Sequence, residues 1–507
     1  MRKNLSNYTP GILLFLIALL IGLTSYQDYG MSWDEPAYRQ FGLLAYDYVY
    51  HIKKELLTTY FVGFELPLVF IEKLMNITDP RDIYLMRHLV THILFLVSAL
   101  SMYVLVFRLF RNRFLACHGF IMLVLCPRIY AHSFFNSRDI PFLSLFIITL
   151  VFCQLAFDKN KPMFFLVLGL LAGYTTSIRI MGIMLAGFIF LFLLADLISA
   201  FINKEKVIKP FLSVAFFIPG FCISLYTVWP YLWGHPVHNF IRMFVEMSHF
   251  DKWGGVVLFR GKFWKAAEIP CTYFPAWFSI TVPVLWLLTG CAGMIMITIS
   301  LLRKPLLFLK NTRERNFLLY LLCFTVPVLT IIMLQSVIYD DWRHLYFVYP
   351  SFVLLGLYCI HALIHSRFRL VTQAACVIQI GLISYFMIKN HPFQQVYFNE
   401  LVSHKKEYLQ NNYEMEYWGC ACKQALEHII ATDTSKEIKI AWAVDPVPNN
   451  ILMLPVEERS RVTMVEYGGN YIITNFRDIA HGRYTDLTPV YRLSVLNSTI
   501  LCVYKLH

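Results

Sequence analysis

Two adjacent carboxylates, Asp34 and Glu35, sit in the stretch YGMSWDEPAY, residues 29–38, just beyond an apolar run from Gly11 to Leu23. Trp33, Pro36, Tyr38 and Tyr46 make this a stiff, aromatic segment of the kind found at a membrane interface, where a carboxylate is partly desolvated and its basicity can be tuned. The plain alternative is a pair of solvated loop charges. Three further stretches carry ionisable groups beside apolar runs. HSFFNSRDIP holds His132, Arg138 and Asp139, a short turn carries Arg179, and YDDWRHLYFVYP holds Asp340, Asp341, Arg343 and His344. Ionisable groups at the edge of a membrane bundle mark a functional site by default.

One or two carboxylates, two or three arginines and a membrane-embedded groove together suit glycosyl transfer from a lipid-phosphate sugar. The leaving polyprenyl phosphate needs its charge held by arginines such as Arg138, Arg179 and Arg343, with His344 beside them. The attacking hydroxyl needs a carboxylate base within hydrogen-bond reach, and Asp34 is the candidate. A single displacement would invert the anomeric carbon. Each group also has a structural reading: Arg138 and Asp139 could pair at a helix start, and Asp340 and Asp341 could do likewise with Arg343. His235, His238 and His249 are more often loop residues than metal ligands.

The elements that position these groups follow from composition. The chain has 507 residues, 58% hydrophobic and only 15% charged, which excludes an ordinary soluble protein. Apolar stretches of about 20 residues recur, long enough to cross a bilayer as helices. The net charge of +12 is scattered over short loops, so it reads as a topology signal and not as a nucleic-acid surface. Most of the 12 cysteines lie within apolar runs and read as packing residues, and Cys420 and Cys422 are assigned no chemistry.

Arg2 and Lys3 hold the amino terminus in the cytoplasm, and the first apolar run stays as a span, not a cleaved leader. The first outer loop, 24–88, includes an apolar segment, Phe61 to Met75, broken by Glu65, Pro67, Glu72 and Lys73, which predicts an interfacial helix. Eleven spans follow in all; the third covers about Phe114 to Tyr130, and the longest outer loop is 230–275. Residues 1–389 thus form an all-helical polytopic membrane domain. Residues 390–507 form a small α/β domain on the outer face, with a helix over Tyr417 to Ile430, strands at Ile438 to Val444, Val462 to Glu466 and Tyr471 to Thr474, and a hairpin near Asn497.

YGMSWDEP, HSFFNSRDIPF, GYTTSIRIMGI, HFDKWGGVVLFRGKFW with IPCTYFPAWFSITVP, YDDWRHLYFVYP, HPFQQVYFNE and EYWGCACKQAL occur in that order along nearly the whole chain. Together they resemble the bacterial members of the protein O-mannosyltransferase and aminoarabinose-transferase group, type C membrane glycosyltransferases. The resemblance implies a polyprenyl-phosphate-linked sugar donor, an extracytoplasmic active site in a bacterial inner membrane, and a catalytic acidic pair carried here onto Asp34 and Glu35. It gives Arg138, Arg179 and Arg343 to donor phosphate or acceptor contacts, with Asp139, Asp340 and Asp341 supporting them. The acceptor would be a lipid, a glycan or a protein. Some relatives use a divalent cation, which leaves a metal open. The competing reading is a transporter or flippase of lipid-linked sugars, though such proteins show pseudo-symmetric halves and polar groups at mid-depth. A scaffold that uses its tail to bind a partner would leave the acidic pair and the arginines without a role.

Overall fold

The computed structural model describes residues 6–53, 55–56, 58–248, 253–441, 444, 446–477 and 486–506. The first apolar run is helix α1 (Thr9–Ser25), entered through a proline in its first turn. The first outer loop folds into α2 (Glu35–Val49) and α3 (Glu65–Leu74), which pack on each other. The bundle then runs through α4 (Pro80–Phe110), α5 (Arg113–Val124), α6 (Pro127–Phe135), α7 (Asp139–Lys159), α8 (Pro162–Ile178), α9 (Gly182–Ile202) and α10 (Ile208–Val228). A short helix α11 (Pro236–Ser248) and a hairpin of β1 (Val256–Phe259) and β2 (Lys262–Lys265) fill the longest outer loop. Helices α12 (Tyr273–Thr281), α13 (Val284–Arg303), α14 (Pro305–Lys310), α15 (Thr312–Leu334), α16 (Tyr349–Ile364) and α17 (Arg369–Lys389) complete the membrane part.

Among the described residues, eight helical stretches are long and apolar enough to cross a membrane, the α5–α6 pair is a ninth bent by 60°, and α1 and α8 are apolar helices of 17 residues. These helices fall at the eleven places expected for spans, of which eight, or nine with the bent pair, are long and apolar enough to cross by length and composition. Small residues set the closest packing: on α8, a Cβ at Gly169 would lie 2.2 Å from the Phe217 carbonyl of α10, and one at Gly173 would lie 2.3 Å from that of Phe221. Backbone approach of this kind is how helices associate where lipid removes the hydrophobic drive.

The carboxy-terminal part begins with α18 (Lys406–Asn412) and α19 (Cys422–Thr432) and carries a five-stranded sheet. Its strands are β3 (Ile438–Ala441), β4 (Val462–Val465), β5 (Tyr471–Thr474), β6 (Pro489–Val495) and β7 (Ser498–Lys505), in the order β4-β3-β5-β7-β6. β3 runs parallel to β4 and β5, and β7 is antiparallel to β5 and β6. The β6–β7 turn has Leu496 and Asn497 at φ 52° and 61°, the left-handed pair that a two-residue hairpin loop needs. Two small helices, α20 (Pro446–Ile451) and α21 (Val456–Arg459), lie between β3 and β4.

Two expectations are corrected. The third span is not continuous, because Pro127 cannot extend α5 and starts α6 in a new direction. The segment expected to run as a helix from Tyr417 begins one only at Cys422, and Tyr417 and Trp418 are loop residues directed into the bundle. In the interfacial segment Lys73 is exposed, whereas Glu72 takes a two-pronged hydrogen bond from Arg39 (2.9 and 2.8 Å) and Glu65 pairs with the buried Arg87 and accepts from Ser137. At the other end of the same helices, Arg108 pairs with Asp158.

Because Arg87 is only 1% exposed, Glu65→Ala strands a buried charge, and a loss of about 3–5 kcal/mol is expected. A thermal melt of the purified protein in detergent checks this, with a much smaller loss expected for Lys265→Ala, whose ion pair is on the surface.

Candidate active site

The two adjacent carboxylates point in different directions. Asp34 precedes α2 by one residue; its Oδ2 accepts a hydrogen bond from the Tyr38 hydroxyl (3.0 Å) one turn on and lies 3.7 Å from Arg343. It is 27% exposed and lines a cavity. Glu35 is buried, accepts from the Ser32 amide (2.7 Å) and meets His88 Nε2 at 2.9 Å on α4. Glu35 therefore ties the start of α2 to the bundle and does not line the cavity, so a shared catalytic role for the pair has no geometric basis.

Asp139 opens α7. The Asn136 Oδ1 accepts from the Asp139 amide (2.9 Å) and the Arg138 amide (3.2 Å), and Asn136 Nδ2 donates to Asp139 Oδ2 (2.9 Å). The expected alternative, Arg138 pairing with Asp139, does not occur. Asp139 pairs instead with Arg179 and, at 3.5 Å, with Arg343. Arg138 stacks on the rings of Tyr38, Tyr60 and Phe61 at 5.2–5.8 Å; its Nε has no hydrogen-bond partner, and no carboxylate pairs with it among the described residues.

Arg343, 2% exposed, is the common point. Its guanidinium reaches Asp340 (3.2 Å), Asp139 (3.5 Å) and Asp34 (3.7 Å), and packs on the rings of Trp418 and Tyr339. Asp340 is also 3.0 Å from Arg477, whose guanidinium lies over Trp33. Asp340 and Asp341 both sit at positive φ, 56° and 61°, a strained backbone for residues with a side chain, and such strain collects at functional sites. Asp341 faces the other way. It takes hydrogen bonds from Arg128 (2.9 Å), Tyr417 (2.7 Å) and Tyr346 (3.1 Å), all buried.

Arg128, Asn136, Tyr346, Tyr417, Trp418 and Arg477 were not singled out by sequence. Arg128 carried a signal, since an arginine inside an apolar run costs about 2.5–3.5 kcal/mol without a partner. Here Asp341 and the Tyr397 carbonyl supply partners, and the neighbouring rings of Trp277 and Phe398 each lie 5.1 Å from the guanidinium carbon. Trp418 donates its indole N–H to His132 Nε2 (3.1 Å), a contact between parts of the chain far apart in sequence. His249 lies outside the described residues, and His235 and His238 do not line the cavity.

The cavity has a volume of about 480 Å³. Asp34, Arg138, Arg179, Arg343 and His344 line its polar end, so five of the nine expected site residues meet there; Glu35, Asp139, Asp340 and Asp341 stand behind them. Its remaining wall is mostly apolar, from Phe41 of α2, Ile183 and Met184 of α9, Phe244 and Met247 of α11, and Ile331 and Leu334 of α15. Three guanidiniums face one carboxylate on this lining, an excess of positive charge suited to an anion. Among the described residues, no group of three His, Cys, Asp or Glu side chains is arranged to hold a metal ion.

Residues 82–226 match the model of the dolichyl-phosphate-mannose-protein mannosyltransferase family. No curated protein matches the chain in sequence. Among solved structures, the oligosaccharyltransferase of Archaeoglobus fulgidus in its apo form is similar at 11% identity, covering 89% of this chain and 64% of that one, with a TM-score of 0.50. The chain thus spans less than two thirds of that protein, and the likeness is one of fold. ArnT from Cupriavidus metallidurans, crystallised with undecaprenyl phosphate, is 11% identical over 98% of both chains with a TM-score of 0.48. Fold and spans together define an integral membrane protein, a multi-span helical bundle with a small carboxy-terminal sheet domain, and its fold is that of the archaeal oligosaccharyltransferase.

The loop that brings Tyr417 and Trp418 to this site also holds Glu416, whose carboxyl is pushed up to about 7 by burial against hydrogen bonds from Asn475 and Gln395 that favour ionisation. The folded protein then binds this proton more tightly than the unfolded chain. Its contribution to stability is full below the ordinary carboxyl value and is lost as pH rises through about 7. Relative to wild type, Glu416→Gln should therefore gain on the order of a few kcal/mol between about pH 5 and pH 8. Melting midpoints of the two proteins across that range check the sign.

Proposed function

We propose that the chain transfers a sugar from a polyprenyl-phosphate donor to an acceptor hydroxyl or phosphate at the extracytoplasmic face, with Asp34 as base and inversion at the anomeric carbon. The observation that carries this is the polar end of the cavity: a buried-edge carboxylate faces three guanidiniums, and one of these, Arg138, has only aromatic rings against its guanidinium among the described residues. An anion supplied from outside would complete that arrangement. The apolar wall continues from it in the manner an isoprenoid tail requires, and the family matched by residues 82–226 is named for a dolichyl-phosphate sugar donor.

The chemistry follows from the placement. Asp34 takes the proton of the acceptor hydroxyl as its oxygen attacks the anomeric carbon. The bond from that carbon to the phosphate oxygen breaks, and its electron pair stays on the phosphate. The leaving polyprenyl phosphate carries about one more negative charge than the donor, so Arg138, Arg179 and Arg343 bind it more strongly as the bond breaks, which lowers the barrier. Tyr38 orients the Asp34 carboxylate through its hydroxyl, and Arg343 is held by Asp139 and Asp340. Under the positive-inside rule the Lys and Arg clusters of the opposite loops lie in the cytoplasm, which puts this end of the bundle outside, in a bacterium the periplasm.

The test uses the purified protein in lipid with a panel of radiolabelled polyprenyl-phosphate sugars and a membrane extract as acceptor source. Asp34→Asn should lower transfer by about 10²–10⁴-fold while undecaprenyl phosphate still binds. Arg138→Ala should raise the donor KM by about 10- to 100-fold, the worth of a charge-assisted hydrogen bond. Transfer that survives Asp34→Asn would remove the base assignment. Movement of lipid-linked sugar across vesicles without transfer would favour transport instead.

A further inference from the structure

The backbone that ends on Asp34 is held by a side chain 419 residues later in sequence. Asn450, in α20, is fully buried. Its Oδ1 accepts from the Met31 amide (2.8 Å), and its Nδ2 donates to the Met31 carbonyl (3.0 Å), the two-way exchange by which neighbouring strands pair. The same Nδ2 reaches the carbonyls of Gly419 (3.1 Å) and Pro446 (2.8 Å), which fix the amide plane. Two residues on, the Trp33 amide donates to the Trp418 carbonyl (3.0 Å). Gly30 leaves room for the contact, since a Cβ there would lie 2.1 Å from the Cys420 carbonyl oxygen and 2.5 Å from Asn450 Oδ1. With the Ser32 amide bound to Glu35, the three consecutive amides of Met31, Ser32 and Trp33 all have fixed acceptors, two of them in the carboxy-terminal segment.

We infer that Asn450 is a positioning residue for Asp34: through Met31 it sets where the base stands against the donor, so that the carboxy-terminal segment completes the active site. The inference rests on the reading of Asp34 as base. The polar groups that would hold the donor phosphate, Arg138, Arg179 and Arg343, come from other elements and make no hydrogen bond to Asn450. Displacing a base by about an ångström costs on the order of 100-fold in rate, whereas the phosphate contacts would stay. Loss of Asn450 therefore separates the two halves of the site.

The experiment compares full-length wild type, Asn450→Ala and Gly30→Ala in lipid nanodiscs by three readouts: hydrogen exchange over residues 29–34, binding of undecaprenyl phosphate, and transfer kinetics on the donor that wild type uses. Faster exchange confined to that stretch, lipid-phosphate affinity unchanged within about twofold, and kcat lowered by about 100-fold at unchanged donor KM are expected for both variants. Should Asn450→Ala fail to fold, Asn450→Ser, which retains one hydrogen-bonding atom, takes its place. A folded variant with wild-type kcat would overturn the inference. So would a parallel fall of kcat and undecaprenyl phosphate binding, which marks a merely structural role. Retention of transfer by Asp34→Asn would overturn the base assignment and Asn450's role with it, and the exchange readout distinguishes that failure because it does not depend on activity.

Discussion

A guanidinium buried at the edge of a membrane bundle has to be met by carboxylates, because an uncompensated buried charge costs several kcal/mol. Arg343 meets three: Asp34 from the first outer loop, Asp139 from the start of α7, and Asp340 from its own loop. That one requirement draws together segments far apart in the chain and fixes the ends of the helices that carry them. Asp139 extends the set to Arg179 at the α8–α9 turn, and Asp340 extends it to Arg477 beyond β5. A second buried pair, Arg128 with Asp341, lies beneath and anchors Tyr417. The loop from Asp340 to Arg343 thus faces both networks, and its two left-handed residues are the strained turn that allows adjacent carboxylates to diverge.

These networks are nearly self-compensating, and the departure from balance is informative. Arg138 is left with aromatic rings, and the cavity lining it shares with Asp34, Arg179 and Arg343 carries more positive than negative charge. Stability alone gives no reason for such a surplus next to an apolar wall. Binding an amphiphilic anion does. The carboxy-terminal segment contributes Trp418 against Arg343 and the clamp on Met31, so it braces the residues of the site from outside the cavity and is not an appended module.

Much of this was legible in the sequence because hydrophobic run length and charge placement are local properties. The spans follow from apolar run length, the β6–β7 hairpin at Asn497 from its turn residues, and the placing of Asp34, Arg138, Arg179, Arg343 and His344 on one face of the bundle from which short loops carry charge; that they meet in one cavity does not. What was not legible depends on pairing. Nothing in the dipeptide of Asp34 and Glu35 says that one faces the cavity while His88 holds the other. The partner of Asp139 could not be told from its neighbour Arg138, because the helix start turns that arginine toward Tyr38 and Tyr60. Trp418 stood only within a motif, with no role marked, and Asn450 had no signal at all, since their roles come from contacts across hundreds of residues.

The central claim is that the polar end of the cavity holds the phosphate of a polyprenyl lipid beside Asp34. An experimental structure of the protein in nanodiscs with undecaprenyl phosphate tests it most directly. The account predicts phosphate density within hydrogen-bond distance of Arg138, Arg179 and Arg343, with the lipid tail running along Ile183, Met184, Phe244 and Ile331. A phosphate bound elsewhere, with Arg138 still turned only toward its aromatic neighbours, would contradict it.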